Sequence, residues 1–158
     1  MVTRAVPEFQ AAVEQMPSLL ADLRLAPSHR VADHPRIPAS PGIYLFSQRD
    51  RPVYVGQSRN LRTRLRQHTW ERSRENAASF AFNIAKRDAV AAGVDIKRWR
   101  RVLEADPAFI PHFVDARASV AAMTVQFIEL ADPVVRTLFE VYVALALRLD
   151  EFNSFETH

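Results

Sequence analysis

The sequence predicts an α+β domain: a small, three-stranded, mainly antiparallel sheet flanked by helices, with a helical insertion ahead of the third strand. Three observations predict it. Residues 42–56, GIYLFSQRDRPVYVG, alternate apolar and polar positions as a hairpin does. Residues 58–68, SRNLRTRLRQH, follow at once with helical spacing, and a long apolar helix opens at Asp132-Pro133. A chain of 158 residues is enough for one domain with a real core and too short for two ordinary ones.

In the hairpin, Ile43, Leu45, Val53 and Val55 alternate with Tyr44 and Tyr54. The segment SQRDRP reads as a loop of moderate length, with Pro52 opening the second strand. Alternation places the four aliphatic residues on one face and Gly42, Tyr44, Tyr54 and Gly56 on the other. Two of the chain's three glycines therefore stand beside two phenols, an arrangement that leaves room for a ligand to approach the backbone. The next helix enters through Ser58 or Asn60, both good N-caps. Leu61, Arg64, Leu65 and His68 fall on its inner half, and Arg59, Arg62 and Arg66 on its outer half.

Ahead of the hairpin, Phe9, Ala12, Val13, Met16, Leu20 and Leu23 predict an amphipathic helix over 7–25 that packs on the domain's own core. Pro27, Pro35, Pro38 and Pro41 then impose an extended lead-in, so residues 1–38 form a helix and a connector. The main domain is 39–158, with an insertion over about 70–119. Helices are expected there at Phe80 to Ala92, stopped by Gly93, at Arg98 to Ala105 and at Phe109 to Ala118.

Ala121 to Leu130 alternates as the third strand, with Met123, Val125 and Phe127 on one face and Thr124 and Gln126 on the other. The last helix, capped by Asp132, runs to about Leu149. Glu140 stands in its apolar body between Phe139 and Val141, where a bare carboxylate is costly and needs a partner or a metal ion. An i,i+4 pair with Arg136 is the simplest partner, in the less favourable orientation.

The net charge is +3, but residues 49–74 carry eight arginines against Asp50 and Glu71. The positive excess thus lies on and around the hairpin and its helix. Arginine's planar fork suits phosphate, so the patch reads as a nucleic-acid footprint as well as a solvated helix face. Arg72 and Arg74 extend it, and Trp70, Lys86, Arg87, Lys97 and Arg100 could lengthen a groove. Trp70 or Trp99 would then stack on bases, although a tryptophan in a helical insertion is more often core. Asp88 with Asp95-Ile96-Lys97 imitates a two-carboxylate nuclease pattern, but that pattern needs a strand hairpin and Asp88 lies in a helical run.

The absence of cysteine excludes disulfides and thiolate metal sites. The longest apolar run, Val141 to Leu147, is far too short to span a membrane, and the N-terminus lacks a signal-peptide pattern. A cytoplasmic, nucleoid-associated protein is expected.

Gly42-Ile43-Tyr44 and Tyr54-Val55-Gly56, followed by Arg64, His68, Glu140 and Asn153 in that order, resemble the GIY-YIG nuclease family. Valine replaces the usual isoleucine of the second motif, and Phe152 the usual tyrosine before the asparagine. The resemblance implies a metal-dependent endonuclease acting on nucleic acid, DNA ahead of RNA, from about Ser40 to the C-terminus. It implies that Glu140 holds one Mg²⁺ or Mn²⁺, that Arg64 binds the scissile phosphate, and that Tyr44, helped by His68 and Tyr54, deprotonates the attacking water. Tyr44, Tyr54, Arg64, His68, Glu140 and Asn153 are the catalytic candidates, and Arg59, Arg62, Arg66, Arg72 and Arg74 the nucleic-acid-binding ones. With a reference pKa near 10, only about one phenol in a thousand is ionised at pH 7, a deficit of roughly 4 kcal/mol. A cation must lower that pKa, or His68, whose ordinary pKa suits a base near neutrality, must take the proton. The alternatives are a catalytically inactive, arginine-rich nucleic-acid-binding module of the same fold, and an interaction domain for an acidic protein.

Overall fold

The computed structural model describes residues 6–33, 36–69 and 79–153. In chain order the elements are α1 (Pro7–Glu14), α2 (Met16–Leu25), β1 (His29–Arg30), β2 (Gly42–Gln48), β3 (Arg51–Ser58), α3 (Leu61–Thr69), α4 (Ser79–Ala91), α5 (Arg100–Leu103), α6 (Ile110–Ala121), β4 (Thr124–Glu129) and α7 (Pro133–Ala146). The sheet has four strands in the order β1-β4-β2-β3, every pair antiparallel. The expected three strands are joined by β1, two residues of the proline-rich lead-in. A two-residue strand is invisible to periodicity; β4 supplies its hydrogen bonds.

The expected single N-terminal helix is two, parted at Gln15. Pro17 sits in the first turn of α2, where its missing N–H is harmless but prevents continuation from α1. Met16 and Leu23 are buried against the sheet, whereas Phe9 and Val13 of α1 stay exposed. The predicted packing on the domain's own core is therefore carried mainly by α2.

The β2–β3 connection is tighter than its sequence implies. Arg49 and Asp50 both adopt positive φ, 51° and 62°, so a two-residue turn of the primed kind closes the hairpin. A register shift between Phe46 and Ser47 then leaves Val53 without a partner on β2. This bulge turns Val53 to the face opposite the one its alternation predicts: it packs with the cluster of Tyr44 and Phe46.

Two apolar layers sandwich the sheet. Ile43, Leu45, Val55 and Ile128 face α2 and α7 through Met16, Leu23, Phe139 and Val143. Tyr44, Phe46, Val125 and Phe127 face α3, α4 and α6 through Leu61, Leu65, Phe80 and Val120. The faces of β4 follow the predicted alternation, and Gln126 on the α2 side donates to the Arg24 and Ala26 carbonyls, tying the end of α2 to the sheet. Gly93, with φ 80°, stops α4 as expected. Asp88 lies in α4 and Asp95 in the connection between α4 and α5, so the two-carboxylate hairpin pattern is not built.

Candidate active site

The site grows from the β2–β3 hairpin and the start of α3. Asn60 caps α3, its Oδ1 accepting from the Thr63 N–H at 3.0 Å, while the Ser58 hydroxyl accepts from the Asn60 N–H at 3.0 Å. The cap directs α3 across the face of the sheet that carries Tyr44. A Cβ on Gly42 would run into the Ile128 carbonyl and the Leu61 side chain, so this glycine lets α3 seat on the strands. A Cβ on Gly56 would collide with the ring of Tyr44, which is cross-strand from it. The space expected to admit a ligand is filled by the protein's own Leu61 and Tyr44. The glycines serve the assembly of the site.

Tyr44 is the hub. Its hydroxyl lies 3.0 Å from His68 Nε2 and accepts from Arg64 Nε at 3.2 Å. Tyr54 shares this face, its ring 6.3 Å from that of Tyr44 and stacked at 4.3 Å on Phe80. Phe46 and Phe80 close around His68, at 5.1 and 6.5 Å. His68 is fully buried, on the inner half of α3 where its helical position puts it. Arg64 and Tyr54 are partly buried.

This environment sets the charges. Burial pushes the Tyr44 phenol above 10, and the Arg64 guanidinium offsets part of the rise. Tyr54 is raised by burial and then by Tyr44. Burial, aided by Arg64, lowers His68 from 6.5 to about 3. The expectation of a histidine poised near neutrality therefore does not hold in the resting protein: an imidazolium would sit in an aromatic enclosure beside a cation. Folded and neutral, His68 contributes stability that is present above pH 6.5 and lost as pH falls toward about 3. His68→Gln should flatten acid unfolding over that interval, by up to about 1.4 kcal/mol per pH unit for one proton. Urea titrations from pH 7 to pH 4 measure it; parallel profiles in both proteins would contradict the burial argument.

Glu140 approaches from the other layer. It projects from α7 beneath β3, and because β3 is the edge strand its carboxylate is within electrostatic reach of the opposite face. Its charge raises both phenols, and Arg64 in turn lowers Glu140. Burial is the larger influence and leaves the Glu140 pKa above the ordinary carboxylate value, with Gln57 and Arg64 opposing. The simple Arg136 pair does not form. Gln57 stands between them, its Oε1 accepting from Arg136 Nε at 3.2 Å and its Nε2 donating to Glu140 Oε2 at 2.7 Å. Arg136 donates besides to the Leu130 and Ala131 carbonyls at 3.0 and 3.2 Å. Gln57 is the site residue that sequence reasoning missed; its only signal is its place directly after Gly56.

Asn153 uses both halves of its amide on the backbone of Val55: the Val55 N–H donates to Oδ1 at 3.1 Å, and Nδ2 donates to the Val55 carbonyl at 2.7 Å. It thereby pairs the open edge of β3 between Tyr54 and Gly56. Arg59, Arg62 and Arg66 are exposed on α3 and its entry, as expected. Arg62 also donates from Nε to the Ile37 carbonyl at 2.8 Å, anchoring the lead-in. Arg72, Arg74 and Trp70 lie outside the described residues. Of the other groove candidates, Arg87 pairs with Asp88 and Glu151 and Arg100 with Glu104, while Lys86 lies over the Phe82 ring. Trp99 is exposed rather than core.

Among the described residues no three His, Asp or Glu side chains gather as a metal cage. A single half-buried carboxylate, steadied on one oxygen by Gln57, fits a hard cation that keeps its waters and takes oxygens from a phosphate.

A family profile of the GIY-YIG catalytic domain matches residues 40–101. UvrABC system protein C of Aquifex aeolicus is 52% identical over 31 residues, which is 20% of this chain and 6% of that protein. UvrABC system protein C of Deinococcus radiodurans is 44% identical over 36 residues, 23% of this chain and again 6% of that protein. The chain is thus matched to only a small part of the length of these relatives. No solved structure matches it significantly. No helix among the described residues is long and apolar enough to cross a membrane.

Proposed function

From the GIY-YIG nuclease domain that this chain carries, we propose that the protein is a metal-dependent endonuclease that hydrolyses phosphodiester bonds of nucleic acid, DNA ahead of RNA. The observation that carries the reading is the Tyr44 hydroxyl held jointly by Arg64 and His68, with Glu140 across the edge of the same hairpin. The catalytic unit is residues 39–158, completed by the sheet and core contacts of the lead-in.

Arg64 binds the scissile phosphate and offsets charge developing on its oxygens. Tyr44, a neutral phenol, takes the proton of the attacking water as it passes its own to His68 Nε2, 3.0 Å away. His68, walled off from solvent, acts on that water only through the Tyr44 oxygen. An anionic phosphate beside Arg64 would cancel part of the guanidinium's share of the His68 shift, the smaller share beside burial. Tyr54 packs the phenol in place, and Asn153 holds the strand that carries Tyr54. Glu140 would hold Mg²⁺ or Mn²⁺, and when bound the cation would supply Lewis-acid polarisation of the phosphate.

The test is cleavage of plasmid, single-stranded, branched and RNA substrates with Mg²⁺, comparing wild type with Tyr44→Phe and Arg64→Ala. Each variant should lose about 10²-fold or more, as expected for a positioned proton acceptor or charge stabiliser. Binding without cleavage on every substrate would leave the inactive binding module as the function.

Arg59, Arg62 and Arg66 should supply affinity without sequence preference. Replacing all three by alanine should weaken duplex DNA binding alike on every sequence. The log–log salt slope should shrink by about 0.9 per lost phosphate contact. An unchanged slope in fluorescence-anisotropy titrations would mean that this face of α3 does not touch the nucleic acid.

A further inference from the structure

Between the buried Arg136 and the half-buried Glu140, one helical turn apart on α7, stands a neutral side chain from another element. Residues at i and i+4 with opposite charge pair readily. Here they do not, although Arg136 is 6% exposed and its guanidinium would gain from an anion. Its charge is spread instead over the Leu130 and Ala131 carbonyls and the Gln57 amide oxygen. Gln57 is held in turn by Ile43, its cross-strand partner on β2, so its backbone position is fixed by the motif hairpin.

We infer that Gln57 is a positioning residue that orients the Glu140 carboxylate for a divalent cation and keeps Arg136 from neutralising it. This rests on the proposed role of Glu140. The chemistry follows from the two ends of the amide. Nε2 donates to Oε2 and fixes the rotamer of Glu140; Oε1 accepts from Arg136 and occupies the donor that would otherwise reach the carboxylate. Thr137 Oγ1, 3.3 Å from Gln57 Nε2, steadies the amide further. A carboxylate paired with a guanidinium binds a cation weakly, because the cation must displace or coexist with a fixed positive charge. Gln57 thus separates a structural cation from a functional anion while remaining bonded to both. No ionised residue can do this, since Lys or Arg would pair with Glu140 and Glu or Asp would repel it.

Gln57→Met keeps chain length and removes all three side-chain hydrogen bonds, to Glu140, Arg136 and Thr137. Its site is half-exposed, and Arg136 retains two carbonyl partners, so the variant should fold with a melting temperature within a few degrees of wild type. Loss of an outer partner of a metal ligand costs about 10–100-fold in metal affinity. The experiment measures Mn²⁺ binding by electron paramagnetic resonance, in the presence of an uncleavable duplex, and cleavage rate against Mn²⁺ concentration. Wild type, Gln57→Met, Gln57→Leu and Glu140→Gln are compared on melting-matched preparations. Both Gln57 variants should need about 10–100-fold more Mn²⁺ for half-saturation, with the rate at saturating metal largely kept. A purely structural role would lower the active fraction and leave half-saturation unmoved, which overturns the inference. If Gln57→Met does not fold, Gln57→Leu decides by the same readout, and unfolding of both also overturns it, since it makes the residue a fold determinant. Wild-type Mn²⁺ binding by Glu140→Gln would instead remove the parent reading, and the role of Gln57 with it.

Discussion

Glu140→Gln is expected to fold as well as wild type, bind nucleic acid undiminished, and lose cleavage by about 10³-fold. The magnitude follows from several kcal/mol of transition-state charge stabilisation supplied by one cation, at about 1.4 kcal/mol per decade. No other carboxylate is assigned to that cation, so nothing compensates. The amide preserves volume, and its oxygen can still accept from Gln57 Nε2. Stability should not fall, because burial raises the Glu140 pKa. A raised folded pKa stabilises below the unfolded value and ceases to do so as pH rises through the folded one. Above that raised pKa wild type has lost the contribution, and the neutral variant should melt no lower there. Any advantage should vanish below the ordinary value of 4.5. Melting, filter binding and Mg²⁺-dependent cleavage on one preparation check all three. A stable variant that cleaves at the wild-type rate would falsify the metal-ligand assignment.

The second large effect comes from a single methyl group. Gly56→Ala should destabilise the protein by about 1–3 kcal/mol or more, because the new Cβ enters the space of the Tyr44 ring in a packed layer. Tyr44 has no easy retreat: it is buried among Phe46, Tyr54 and His68, and its hydroxyl is tied to His68 and Arg64. Displacing the ring breaks the hub of the site, and a shift of about 1 Å costs about 10²-fold in rate. Gly56→Ala combined with Tyr44→Leu should recover much of the stability and none of the cleavage, a coupling of at least about 0.5 kcal/mol in a double-mutant cycle. Additive losses in urea denaturation would show that the two positions do not press on one another.

The sequence alone determined the motif hairpin, the cap and inner half of α3, the Gly93 stop, the apolar last helix with its Asp132 cap, and the GIY-YIG resemblance. Each is a local signal: alternation of period two, spacing of 3.6, or a residue type with one strong conformational preference. It also placed Tyr44 and Tyr54 on one face, since a strand has only two faces and both residues bear on the same glycine-bracketed hairpin. Tertiary structure decided the rest. Strand β1 exists because β4 offers hydrogen bonds to two residues that carry no periodicity of their own. The bulge at Val53 follows from a two-residue turn meeting a longer polar loop segment. The space beside Gly56 belongs to Tyr44 because the ring lies across the strand pair, a fact no spacing rule contains. His68 loses its ordinary basicity because rings from β2, β3 and α4 close over it, and desolvation is the summed effect of neighbours distant in sequence. The fate of Glu140 was settled in the same way: a helical wheel pairs it with Arg136, but an edge strand brings Gln57 between them, and a bridge across 83 residues of chain cannot be read from either end.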